Sequence, residues 1–167
     1  MPEENEDFVI SRTFDAPKKL VWSVWTEEKH LAKWFGPKGI SLFTAKLDLR
    51  PGGVFHYCMK LPDGKEMWGK FVYREILPER RLVWVNSFSD PQAGITRHPW
   101  NADWPLELLT TVTFAEHEGK TTVMVRWSPL NPTDAERKTF QAGFDSMNKG
   151  WGGTCDVLAE YLASQQA

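Results

Sequence analysis

Four histidines, two cysteines and a scatter of carboxylates are the side chains of this 167-residue chain that could move protons, attack carbon or hold a metal. Metal binding needs ligands that converge, which on one helix means spacings such as i, i+4. His30, His56, His98 and His117 stand at no such spacing. Nucleophilic catalysis needs a Ser or Cys beside a base, and neither a Gly-x-Ser-x-Gly elbow nor a phosphate-cradling loop occurs. Glu66 and Glu75 are nine apart on one extended run, so they point to opposite faces unless a bulge intervenes. Asp48 and Arg50 read as a solvated ion pair at a strand end. No catalytic residue, metal ligand or cofactor is therefore expected. His30 and His117 fall in surface or turn contexts. His56, in a strand, and His98, before Pro99 in a loop, are the candidates for lone polar handles inside a pocket.

Aromatic side chains are the unusual component: 9 Trp and 10 Phe. Rings bury large areas, so such a chain has either a bulky core or a cavity walled by rings. A net charge of −2, with no basic stripe, gives no electrostatic reason to bind nucleic acid or an anionic membrane. The start, Met1 to Asp7, is acidic and polar, which is unlike a signal peptide and reads as a disordered tail. No apolar run approaches the roughly 18 residues a span needs. Cys58 and Cys155 form no paired motif and read as reduced, half-buried thiols. The expectation is a single cytoplasmic domain over 1–167.

The elements that must position these side chains follow from period and punctuation. Residues 8–14 read as a strand, and Pro17 suits the first position of a helix carrying Leu20, Val21, Val24 and Trp25. Thr26 reads as the cap of a second short helix with Leu31, Trp34 and Phe35 on one side, ending at Gly36-Pro37. From residue 41 to 128 the period changes to two. Strands are expected near 41–49, 54–60, 66–76, 81–88, 107–115 and 121–128, separated by turns such as Pro51-Gly52-Gly53 and Pro62-Asp63-Gly64. The inner face is assigned Phe55, Tyr57 and Met59 on one strand and Val123, Val125 and Trp127 on another. Thr133 to Glu136 is a capping box. Phe140, Phe144, Met147, Trp151, Cys155, Leu158 and Leu162 then recur as one stripe along a single long helix. Gly150, Gly152 and Gly153 interrupt that helix, either for close packing on the sheet or to leave room for a ligand. The fold class is α+β: a β-α-α-β6-α helix-grip, with a curved antiparallel sheet wrapped around the last helix.

Several segments in this order resemble the activator-of-heat-shock-protein-90-ATPase homologues. They are Val21-Trp22…Trp25-Thr26, Trp34-Phe35-Gly36-Pro37, Asp48-Leu49-Arg50-Pro51-Gly52-Gly53, Pro62-Asp63-Gly64, Tyr73-Arg74-Glu75-Ile76, Pro78-Glu79-Arg80-Arg81-Leu82-Val83 and Gly150-Trp151. The family lies within the START-related lipid-transfer and polyketide-cyclase superfamily, and the resemblance spans about residues 8 to 164. It implies a helix-grip fold with a deep cavity, but no one ligand or reaction. The eukaryotic activators carry a separate amino-terminal domain, whereas about seven residues precede the first strand here. Stimulation of a chaperone ATPase by this chain alone is accordingly not expected.

The function expected is binding of a small apolar or aromatic molecule, without catalysis. The alternatives are a chaperone-regulating interaction protein and a cyclase or hydrolase of the same superfamily. The candidate pocket residues are Trp34, Phe55, Tyr57, Met59, Phe71, Trp84, Trp100, Trp104, Phe144, Met147 and Trp151, with His56 and His98 as polar handles. The connection from Ser89 to Leu106 holds three prolines, Trp100 and Trp104, and reads as a stiff flap whose tryptophans pack down.

Overall fold

The alternation of apolar and polar residues becomes a sheet with one dry face. In the computed structural model, which describes residues 7–36 and 40–166, the strands are β1 (Phe8–Phe14), β2 (Ser41–Leu47), β3 (Val54–Lys60), β4 (Glu66–Leu77), β5 (Arg81–Ser89), β6 (Ile95–Thr96), β7 (Leu108–His117) and β8 (Lys120–Pro129). The helices are α1 (Lys18–Thr26) and α2 (Glu28–Trp34) between β1 and β2, then α3 (Asp134–Ala142) and α4 (Phe144–Gln165). All pairings are antiparallel, in the order β1-β8-β7-β5-β4-β3-β2, with β6 pairing the end of β5. On β7, Leu108, Thr110, Val112 and Phe114 are buried in strict alternation, and on β8 Thr121, Val123 and Val125 are. This is the α+β helix-grip arrangement, and strand ends agree with the sequence reading to within two residues.

Four local readings are corrected. The acidic start, as far as residue 6, and Pro37 lie outside the described residues; Asp7 stands 3.5 Å from Arg126. Thr26 does not cap α2. It closes α1, and its hydroxyl donates to the Trp22 carbonyl at 2.7 Å, while the extended Glu27 is the N-cap without a side-chain bond. The terminal stripe is two helices rather than one, because Gly143 leaves helical geometry (φ −95°, ψ 5°), with its N–H on the Phe140 carbonyl. The capping box of α3 forms as expected, Thr133 Oγ1 accepting from Glu136 N and Glu136 Oε1 from Thr133 N. The connection after β5 is not structureless: β6 makes it a hairpin, whose turn is tied by Asp90 Oδ1 accepting from the N–H groups of Gln92 and Gly94. Both cysteines are unpaired and buried rather than half-buried.

Ring on ring, the core grows where α1 and α2 meet the sheet. Trp25 lies 4.7 Å from Trp34, 6.1 Å from Phe114 and 6.4 Å from Trp151, the last nearly parallel. Trp34 satisfies its own polar atom, Nε1 donating to Val24 O at 2.8 Å. β1 is tied to α4 by Arg12, which reaches Asp156 at 2.6 Å. The segment after α2 is tied to α4 by the Thr154 hydroxyl on Gly36 O at 3.0 Å.

Gly150 and Gly152 are not there for close packing. A Cβ built on Gly150 or Gly152 meets nothing within 4 Å. Gly152→Ala should therefore recover the helix propensity that glycine forfeits and raise stability by about 0.8–1 kcal/mol. Urea unfolding measures this; a lower midpoint would mean that an unseen contact needs the bare backbone.

Candidate functional site

Between the inner face of the sheet and the helices α3 and α4, the rings do not meet, and a hollow of about 600 Å³ remains. Alternation on β3 and β4 brings Tyr57, Met59, Met67 and Phe71 to its wall, and β5 contributes Trp84, Asn86 and Phe88. Trp127 comes from β8, and Met147, Gly150, Trp151 and Thr154 from α4. Phe35 and Gly36 close one side, while His98, Asn101, Trp104 and Pro105 of the β6–β7 connection close another. Gly69 makes room for this wall. A Cβ there would stand 2.5 Å from the Tyr57 ring and hydroxyl, so the tyrosine lies flat across the neighbouring strand only because Gly69 is bare.

The sequence-derived candidates divide. Tyr57, Met59, Phe71, Trp84, Trp104, Met147, Trp151 and His98 stand on the wall. Trp34, Phe55 and Phe144 do not: Trp34 is buried against Trp25, Phe55 stacks beneath Tyr57 at 5.2 Å, and Phe144 packs on Phe8 at 5.8 Å. Trp100 does not pack down but is 60% exposed. His56 is on the opposite phase of β3 from Tyr57, stacked on Trp68, with Nε2 3.1 Å from the Asp90 carbonyl. Glu66 and Glu75 are separated by an irregularity between Tyr73 and Glu75, and Glu75 pairs with Arg81.

Asn86 was missed. It is in phase with Leu82, Trp84 and Phe88, but Val83 and Val85 make β5 apolar on both phases and obscure which side faces in. Asn86 Oδ1 accepts the hydroxyl proton of Thr110, itself fully buried on β7. His98 is desolvated, which lowers its pKa and keeps the ring neutral. Its Nδ1 accepts the Trp100 N–H at 3.0 Å, so the ring proton sits on Nε2. Burial pushes the Tyr57 phenol well above its ordinary value, so it too is neutral. Among the described residues no Asp, Glu, Lys or Arg lines the hollow. Such a wall is fit to hold an uncharged, largely apolar molecule. Among the described residues no cluster of three or more His, Cys, Asp or Glu could hold a metal.

The connection over the hollow is anchored. Trp104 packs on Phe140 at 5.8 Å and on His98 at 6.3 Å. Arg97 pairs with Glu136 in the first turn of α3. Burial pushes the Glu136 carboxyl up, but the Thr133 N–H and the Arg97 guanidinium outweigh it and hold the group below the ordinary range.

A family model described as Activator of Hsp90 ATPase homolog 1-like protein matches residues 15–163. The crystal structure of a protein from Nitrosomonas europaea is 26% identical, with a TM-score of 0.76 and 99% of each chain covered. A Mycobacterium smegmatis protein is 21% identical at a TM-score of 0.75, covering 95% of this chain and 92% of that one. The solution structure of a Staphylococcus epidermidis protein is 23% identical at 0.74, covering 95% and 90%. None of the curated proteins compared matches.

Because the folded Glu136 carboxyl is depressed, its contribution is fully present above the ordinary glutamate value near ~4.3 and is lost as pH falls through the folded value. Arg97→Ala strands a buried carboxylate and should cost about 1–2 kcal/mol at neutral pH. That difference from wild type should shrink in acid, where protonated Glu136 no longer needs the guanidinium. Urea titrations of both proteins at neutral and acidic pH check it; a difference independent of pH would remove the ion pair from the account.

Proposed function

The chain belongs to the Activator of Hsp90 ATPase homolog 1-like family, and from that premise we propose that it is a binding protein enclosing one small apolar or aromatic molecule between sheet and terminal helix. The observation that carries this is the hollow itself. Its volume of about 600 Å³ lies within the roughly 300–1,000 Å³ of small-molecule pockets. Its wall is built from rings that a packed core would have brought together. Unfilled apolar space costs stability in proportion to its volume, and a ligand would recover the contacts that Phe71, Trp84 and Trp151 lack on that side.

The family description refers to chaperone activation, but nothing here favours that reading. The exposed large apolar side chains Val9, Phe43, Leu77, Ile95, Trp100 and Met124 are single positions on five strands and a loop. A cyclase or hydrolase reading lacks a nucleophile held by a base on the wall, since the Nδ1 of His98 is already occupied by Trp100 N–H.

Native mass spectrometry of freshly purified protein should retain a small molecule. An environment-sensitive apolar dye should bind the folded protein one to one and quench tryptophan emission. Dye uptake only on partial unfolding would defeat the proposal. Trp104→Ala should weaken dye binding while costing about 1 kcal/mol or less, against about 3–5 kcal/mol for a core tryptophan. Lost stability with unchanged affinity on the folded fraction would make the connection a structural brace and not a lid.

A further inference from the structure

A largely apolar wall with a few polar groups set into it is chemically specific, and the position of Asn86 among them says for what. It occupies the inward phase of β5 between Trp84 and Phe88, opposite Phe71 on β4 and Leu108 on β7. A polar side chain there is unfavourable unless something bonds to it. Thr110 meets half of that need by donating to Oδ1, which turns the amide nitrogen the other way. That Nδ2 has no partner among the described residues. Nor is it sealed: the buried, unpartnered polar atoms among the described residues are Trp25 Nε1, Trp84 Nε1 and Ser89 Oγ. An unpartnered donor on a wall residue that is not sealed opens onto the hollow.

Two further polar groups gather at the same stretch of sheet. The Tyr57 hydroxyl lies across Gly69, which is the register partner of Phe88. The His98 ring rests on Phe88 at 4.7 Å; its Nδ1 takes the Trp100 N–H, and no described residue accepts from its Nε2–H. Donors therefore predominate at this spot, and among the described residues no charged side chain lines the hollow.

Building on the ligand-binding reading above, we propose that the hollow selects an uncharged apolar molecule bearing a carbonyl oxygen (a ketone, ester or amide), and that Asn86, oriented by Thr110, is the residue that reads that oxygen. A hydrocarbon of the same shape leaves the Asn86 N–H dry and unpaired on binding, which is the costly outcome. A carboxylate brings a charge for which the described wall residues offer no cation. Only a neutral acceptor meets both conditions.

Three probes of one shape separate these cases: 2-acetylnaphthalene, 2-isopropenylnaphthalene and 2-naphthoate, titrated by tryptophan quenching or calorimetry. The ketone should bind roughly tenfold tighter than the alkene, as expected for one buried hydrogen bond whose loss strands a donor. Naphthoate should bind weakest. Asn86→Leu should bring the ketone down to the affinity of the alkene and leave the alkene unchanged or improved. Should that variant not fold, the carbonyl stretch of the ketone bound to wild type decides: it should lie below its frequency in hexane. Equal affinities for ketone and alkene, naphthoate binding best, or an unshifted carbonyl each overturns the assignment while leaving the hollow a ligand site. If none of the three binds the folded protein, the ligand-binding reading falls and this inference goes with it.

Discussion

One mismatch of widths governs this structure. Seven strands at about 4.8 Å spacing make a sheet roughly 30 Å across, whereas a helix with its side chains is about 10–12 Å wide. A single helix cannot keep that inner face dry. Curvature narrows the gap, α1 and α2 cover one end, and the largest side chains available fill much of the rest. Trp25 of α1, at 3% exposure, is the meeting point, with rings of α2, the sheet and α4 around it. What the rings fail to reach is the hollow. The cavity is thus a geometric remainder of the fold, and its chemistry is set by the few positions that line it.

That view explains which parts could be read in advance. Strands were legible because their burial alternates and their turns are marked by Pro and Gly, as at Gly52, whose φ of +82° few other residues tolerate. The start of α3 was legible because a capping box is a local signal. The break at Gly143 was not, since the apolar spacing continues through it from Phe140 to Phe144 and only tertiary packing decides which turn yields. The two-residue β6 has too little sequence to show a period. Trp100 misled for a related reason: ring size argues for burial, yet the hairpin and the Arg97–Glu136 pair fix the loop so that Trp104 takes the inner place.

The site was legible in its bulk and not in its specificity. Aromatic content announced ring walls, and eight of the thirteen named side chains stand on them. The polar residues that give the wall a preference were invisible, because Asn86 and Thr110 become meaningful only when β5 and β7 pair in the observed register and one hydroxyl finds one amide. A lone Asn in a strand is an exception to a pattern; a partner on the neighbouring strand, 24 residues away in sequence, makes it a device.

The sheet order has a consequence for how the protein is made. Among the described strands β1 pairs with β8 alone, and the Thr13–Thr122 contact between them spans 109 residues. At translation speeds of about 5–20 residues per second, the first strand leaves the ribosome roughly five to twenty seconds before its partner exists. Through that interval Phe8 and Phe14 have no sheet to enter, and the backbone between them has only water to bond. The strand laid down first is the last to be satisfied, so completion of the sheet follows the pace of synthesis and not the intrinsic speed of strand pairing.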